Sequence, residues 1–144
     1  MSASLLLNTS SRAVVLNLML IEDSPLIRQS LRDMLSDIAD LQIASEYDHA
    51  AEAIAAIDRE PPDVVLLDIK LRASNGMQVL RHVKQTHPQI RIIVFSSHSD
   101  ESDRNRFLAA GAYLFLSKTD DSEKVHQTLT ALAKTSSAGR DEYG

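Results

Sequence analysis

Short, unbroken apolar runs alternate along this chain with longer segments whose apolar residues recur at helical spacing. The first run is about Val14–Ile21, and Ser24-Pro25 then supplies a cap and a first-turn proline. Leu26–Ile38 follows, with Ile27, Leu31, Met34, Leu35 and Ile38 on one helical face. A strand at Gln42–Glu46 leads into a helix at about His49–Arg59 that shows Ala50, Ala53, Ile54 and Ile57 on one side. Pro61-Pro62 ends that helix before the strand Val64–Leu67. Gly76 precedes a helix at Met77–Thr86, with Leu80 and Val83 inward, and Pro88 closes it. The strand Arg91–Phe95, a helix at Glu101–Ala110 stopped by Gly111, and the strand Tyr113–Leu116 come next. The last predicted helix is Asp121–Lys134, with Val125, Leu129 and Leu132 as its buried stripe. Strand and helix alternate throughout, which predicts an α/β domain with a five-stranded, doubly wound parallel sheet.

The strand ends carry the chemistry. In VVLLDIKL, four apolar residues run straight into Asp68, and in LNLMLIEDSP the run Leu18–Ile21 ends at Glu22-Asp23. A buried strand that stops at a carboxylate has either reached the surface or delivered that carboxylate to a site. The fourth strand ends in Ser96-Ser97 and the fifth in Ser117-Lys118. Ligands of open parallel sheets bind at the carboxyl ends of the strands, so a strand order of 2-1-3-4-5 would bring three acids, a hydroxyl and a lysine together. Clustered carboxylates repel unless a cation intervenes, and a hard divalent ion such as Mg²⁺ suits such oxygens. A carboxylate can also act as a nucleophile and become an aspartyl phosphate, with cation and lysine neutralising the transferred group.

Composition narrows the partners. The formal charge of −5 argues against a nucleic-acid surface, and the absence of cysteine removes disulfides, thiol catalysis and zinc–thiolate sites. No apolar run approaches the roughly 20 residues of a membrane span, and the N-terminal MSASLLLNTSSR is a poor secretion signal. A cytoplasmic protein is expected, with residues 1–13 and 137–144 as tails around one domain at 14–136.

The pieces LIEDSP, VVLLDIKL, Gly76 eight residues after Asp68, IIVFSS and GAYLFLSK stand in order. Together they resemble the receiver domain of bacterial two-component response regulators over nearly the whole folded length. The resemblance implies a flavodoxin-like (βα)5 fold with strand order 2-1-3-4-5. It implies that Asp68 accepts a phosphoryl group from a sensor histidine kinase or histidine phosphotransfer protein. Asp23 would ligate Mg²⁺ directly, with Mn²⁺ as an alternative, Glu22 would assist, and the backbone carbonyl of Lys70 would complete the protein ligands. Ser96 would bond the phosphoryl group, Lys118 would pair with it, and Phe115 matches the switch aromatic. An output protein would engage the face of the fourth helix, fifth strand and fifth helix, around Arg104, Phe115 and Lys124, in a monomer or a phosphorylation-dependent homodimer. The Lys70 side chain and His98 lie where they could modulate the site. The chain ends about one helix after Lys118, so a stand-alone regulator is expected.

Each residue also has a plainer reading. Asp68 alone would be a solvated turn residue, Glu22-Asp23 a charge pair favoured at a helix N-terminus, Ser96 a loop hydroxyl and Lys118 a solvated lysine. Phe115 is core before it is a switch. The histidines at 49, 82, 87, 98 and 126 show no metal-ligand spacing. Arg72 and Ala73 replace a proline that many receivers carry, and Thr119 replaces another after Lys118. A cis bond before a non-proline residue costs about 2.5–4 kcal/mol, so the Lys118–Thr119 peptide is expected trans. Within the same fold the alternatives are a phosphorelay intermediate or phosphate sink, and a constitutive binding module. An aspartyl phosphatase would need a second acid two residues after the nucleophile, where Lys70 stands.

Overall fold

The computed structural model describes residues 15–71, 74–97, 100–119 and 121–143. Five strands, β1 (Leu16–Ile21), β2 (Leu41–Tyr47), β3 (Val64–Leu67), β4 (Arg91–Ser96) and β5 (Leu114–Ser117), form one sheet. Every neighbouring pair is parallel, in the order β2-β1-β3-β4-β5. The helices between and after them are α1 (Pro25–Leu35), α2 (Ala50–Arg59), α3 (Gly76–Thr86), α4 (Glu101–Ala109) and α5 (Ser122–Tyr143). The predicted fold class and strand order are therefore those of the molecule. Parallel strands need crossover helices, and helices on both faces leave the central strands buried twice over. That is why β3 reads as VVLL with no polar interruption.

Alternation along each strand divides the core in two. Met19, Ile21, Val65, Leu67, Ile92, Val94 and Phe115 face one layer, which α2, α3 and α4 cover with Ile57, Leu80 and Phe107 among others. Leu18, Leu20, Val64, Leu66, Ile93 and Leu116 face the other, covered by α1 and α5 through Leu31, Leu35, Val125, Leu129 and Ala133. Successive residues on a strand point to opposite faces, so a one-residue slip would exchange the two layers and expose neither gain. The register of β1 against β3, Leu18 opposite Val64 through Ile21 opposite Leu67, puts the ends of these two strands level. Against β2 the register shifts between Leu18 and Met19, an irregularity the apolar pattern does not announce.

The structure departs from the predicted elements in three places. α1 ends at Leu35, although the apolar stripe continues to Ile38. Ser36 bonds back to the Asp33 carbonyl, and Ile38 stays in the core from a turn. α5 continues as helix to Tyr143, beyond the expected end at Lys134, with no proline to stop it. A short antiparallel ribbon, Lys70–Leu71 with Ser74–Asn75, fills what pattern alone leaves as loop. Among the described residues every peptide is trans, including Lys118–Thr119, and no helix is long and apolar enough to cross a membrane.

Candidate functional site

The carboxyl ends of β1, β3 and β5 meet. Glu22 follows β1, its N–H donating to the Tyr47 carbonyl at the end of β2, 2.9 Å away. Ser24 caps α1: its Oγ accepts from the Ile27 N–H at 3.2 Å, and Pro25 opens the helix without a donor to waste. The Ser24 N–H in turn donates to Glu22 Oε2 at 3.1 Å, turning that carboxylate back towards the sheet. Asp68 follows β3 directly, held level with β1 by its N–H to the Ile21 carbonyl at 2.9 Å. Glu22 is 3% exposed and Asp68 8%, so both acids are inside the molecule's edge rather than on it.

Lys118 closes the group from β5. Its N–H donates to the Ser96 carbonyl at 2.9 Å, extending the β4–β5 ladder by one rung. Its Nζ reaches Glu22 Oε1 at 2.6 Å and Asp68 Oδ2 at 3.2 Å. Ser96 is buried at the end of β4, beside this lysine's backbone. The Asp121 carboxylate accepts from the Ser117 N–H at 2.9 Å, which steadies the turn that carries Lys118 and holds Asp121 below the ordinary aspartate range.

Gly76 is required on the far side. A Cβ there would lie 2.9 Å from both the Asp68 carbonyl oxygen and the Ile69 Cα, too near backbone that cannot swing away. The Gly76 N–H donates to the Ile69 carbonyl at 3.1 Å, so α3 starts against the segment that bears Asp68.

One oxygen from each of Glu22, Asp23 and Asp68 lies within 4.8 Å of the others. Three hard oxygens at that separation fit a divalent cation such as Mg²⁺, which takes carboxylates and keeps water. Burial pushes the Glu22 carboxyl above the ordinary glutamate range; its bond to Lys118 opposes that rise, and the Asp68 charge adds to it. A carboxylate raised in this way is stabilised by added positive charge. A second grouping, Asp48, His49 and Glu52, also brings three donors together, at the N-terminus of α2.

Phe115 is 1% exposed, its ring 6.1 Å from that of Phe107, and its carbonyl accepts from Arg104 Nη1 at 3.0 Å. Its side chain is core in this structure, which is the plainer reading of Phe115, while Arg104 and Lys124 flank it on the outside. Those two are exposed. Lys70 is placed by its backbone in the ribbon opposite Asn75; its side chain lies outside the described residues, as do Arg72, Ala73 and His98. Sequence reasoning missed Arg28, whose Nη1 donates to the Glu22 carbonyl at 2.6 Å. Nothing in the sequence spacing of Arg28 distinguishes it from a solvated arginine.

Comparison with known proteins agrees with this geometry. The model of the response regulator receiver domain matches residues 18–130. The transcriptional regulatory protein DegU of Brevibacillus brevis is 25% identical over 119 residues, 83% of this chain and 50% of that one. The transcriptional activator protein ExaE of Pseudomonas putida is 31% identical over 103 residues, 72% of this chain and 48% of that one. The chain thus spans about half the length of the curated relatives it matches. The crystal structure of a LuxR-family two-component response regulator from Aurantimonas sp. SI85-9A1 superposes with a TM-score of 0.77 at 25% identity, over 84% of this chain and 86% of that one. With the match spanning β1 to α5 and therefore every strand end just described, the chain belongs to the response regulator receiver domain family, the phosphoacceptor modules of two-component signal transduction.

Proposed function

We propose that Asp68 is the phosphoacceptor of this receiver. An Asp68 carboxylate oxygen would attack the phosphorus of a phosphohistidine on a kinase or phosphotransfer protein. The P–N bond breaks, the imidazole leaves with the electron pair, and an acyl phosphate remains. Glu22, Asp23, Asp68 and the Lys70 backbone carbonyl would hold Mg²⁺, which offsets charge on the transferred group. Lys118 is already an ion-pair partner of Asp68 and would follow the phosphoryl oxygens. Ser96 would donate its hydroxyl to one of them. The observation that carries this reading is the convergence of Glu22, Asp23 and Asp68 oxygens within 4.8 Å, with Lys118 Nζ 3.2 Å from Asp68.

Phosphorylation would act through Ser96 and Phe115. The Phe115 ring is already inside, against Phe107, so the switch consists of holding it there rather than drawing it in. The responding surface is the exposed side of α4 and α5 around Arg104 and Lys124, and Arg104 reports on β5 through its bond to the Phe115 carbonyl.

The site is tested by incubation with acetyl phosphate and Mg²⁺. Wild type gains one phosphoryl group by mass spectrometry, labile to hydroxylamine, and Asp68→Asn gains none. Phosphorylation of Asp68→Asn at the wild-type level would overturn the assignment.

A further inference from the structure

The peptide between Glu22 and Asp23 is held by a side chain that the proposed chemistry leaves unused. Arg28, one turn into α1, donates from Nη1 to the Glu22 carbonyl oxygen at 2.6 Å. Its Nε faces Glu46 Oε1, at the end of β2, across 3.4 Å, and the side chain is only 21% exposed. Glu46 also takes Arg32 Nη1 at 2.5 Å, so two guanidinium groups of α1 share one carboxylate. The result is a brace from β2 through α1 to the turn that bears the acidic pair. A carbonyl oxygen belongs to the same rigid plane as the next residue's N–H. Fixing the Glu22 carbonyl therefore fixes the direction in which the chain leaves towards Asp23, and with it where the Asp23 carboxylate can lie. Neither the Ser24 cap nor the bond from Ser24 N–H to Glu22 does this, because both act on atoms outside that plane.

A guanidinium beside a cation site would do the opposite if it acted by charge. Positive charge near Glu22 and Asp23 opposes a bound cation, so its removal would tighten metal binding, and salt would mask the effect. Position and charge thus predict opposite signs.

Resting on the metal site proposed above, we propose that Arg28 is a positioning residue for the acidic pair: it sets the Glu22–Asp23 peptide for cation binding, and Glu46 sets Arg28. The carbonyl bond needs a planar donor that can also reach Glu46, which a lysine satisfies only in part.

The test is Mg²⁺ titration of the full chain by calorimetry, at low and high salt, on wild type, Arg28→Ala, Arg28→Lys, Glu46→Gln and Asp23→Ala. Thermal melts of each variant ensure that affinity is read on folded protein, where a merely structural residue would leave it unchanged. Arg28→Ala is expected to raise the Mg²⁺ dissociation constant about tenfold, the usual range for a group that orients a ligand. Arg28→Lys recovers part of that loss, Glu46→Gln shows a smaller loss, and high salt removes neither. If Arg28→Ala fails to fold, Arg28→Lys and Glu46→Gln carry the same test: wild-type affinity in both overturns the proposal. Wild-type or tighter binding in a folded Arg28→Ala, with binding lost in Asp23→Ala, overturns it while leaving the metal site intact. A wild type that binds no Mg²⁺, or an Asp23→Ala that binds as wild type does, overturns the site reading and this inference together.

Discussion

Carboxylates meet nitrogen donors at both the sheet's carboxyl end and the helix surfaces, but Glu22 at the sheet end and the surface aspartates shift in opposite directions. On the surface, Asp58 Oδ1 takes His82 Nε2 at 2.8 Å and His87 Nε2 at 2.9 Å, tying α2 to α3 and to the turn after it. Those two histidines hold its carboxyl below the ordinary range, and His126 and His49 do the same for Asp37 and Asp48. At the sheet end Glu22 has a lysine at 2.6 Å, a stronger partner by charge and distance, yet burial lifts it above its ordinary range. Water already stabilises the surface acids, so a partner adds to a small cost. Glu22 has lost water first, and an ammonium that it shares with Asp68 does not replace it. At a site short of positive charge a cation would be stabilising.

Removal of Lys118 should break the comparison most severely. Lys118→Ala leaves Glu22 and Asp68 buried with no ammonium, and it is expected to cost about 3–5 kcal/mol in urea unfolding without Mg²⁺. Saturating Mg²⁺ should return part of that loss; no recovery would mean that the acids do not share a cation site. Next in size is Gly76→Ala, which forces a Cβ against the Asp68 carbonyl and should cost about 1–3 kcal/mol by overpacking. It should also displace Asp68 and slow phosphorylation, whereas the exposed acids are insensitive to it. Asp68→Asn is expected to go the other way: with the like charge beside Glu22 gone, stability without Mg²⁺ should rise by about 1 kcal/mol. A clear loss instead would show that the Lys118–Asp68 pair outweighs the repulsion.

The pH dependence should separate the two settings with the smallest signal. Glu22 has a raised folded pKa, so its contribution is fully present below the unfolded value of 4.5 and is lost as pH rises through the folded value. Asp37, Asp48 and Asp58 have lowered folded values; their contribution is present above the unfolded value of 3.8 and is lost as pH falls through the folded ones. Stability should therefore climb on acidification towards pH 4.5 and fall below 3.8. Glu22→Gln should flatten the first limb only, and Asp58→Asn should weaken the second by a small, salt-sensitive amount.

The fold was readable because burial writes a period into the chain. β3 is the same four residues in the pattern and in the molecule, since a strand buried on both faces admits no polar residue and ends where one begins. Boundaries were less readable where the core and the helix part company: Ile38 keeps the apolar period of α1 after the backbone has left it. α5 shows the reverse, a helix that continues past its apolar stripe with no residue to stop it.

For the site, sequence by itself determined which residue types stand at the strand ends: Glu22, Asp23, Asp68, Ser96 and Lys118 follow apolar runs and need no coordinates to be noticed. Only the tertiary structure decided who meets whom. Lys118 and Glu22 are 96 positions apart and bond at 2.6 Å because β1, β3 and β5 run parallel in one sheet, with β5 reaching two residues past the ends of the other two. The brace of Arg28 on the Glu22 carbonyl was equally hidden, because a backbone acceptor has no residue type. Periodicity records which side of an element faces the core, and a hydrogen bond between elements depends on where the whole sheet carries their ends.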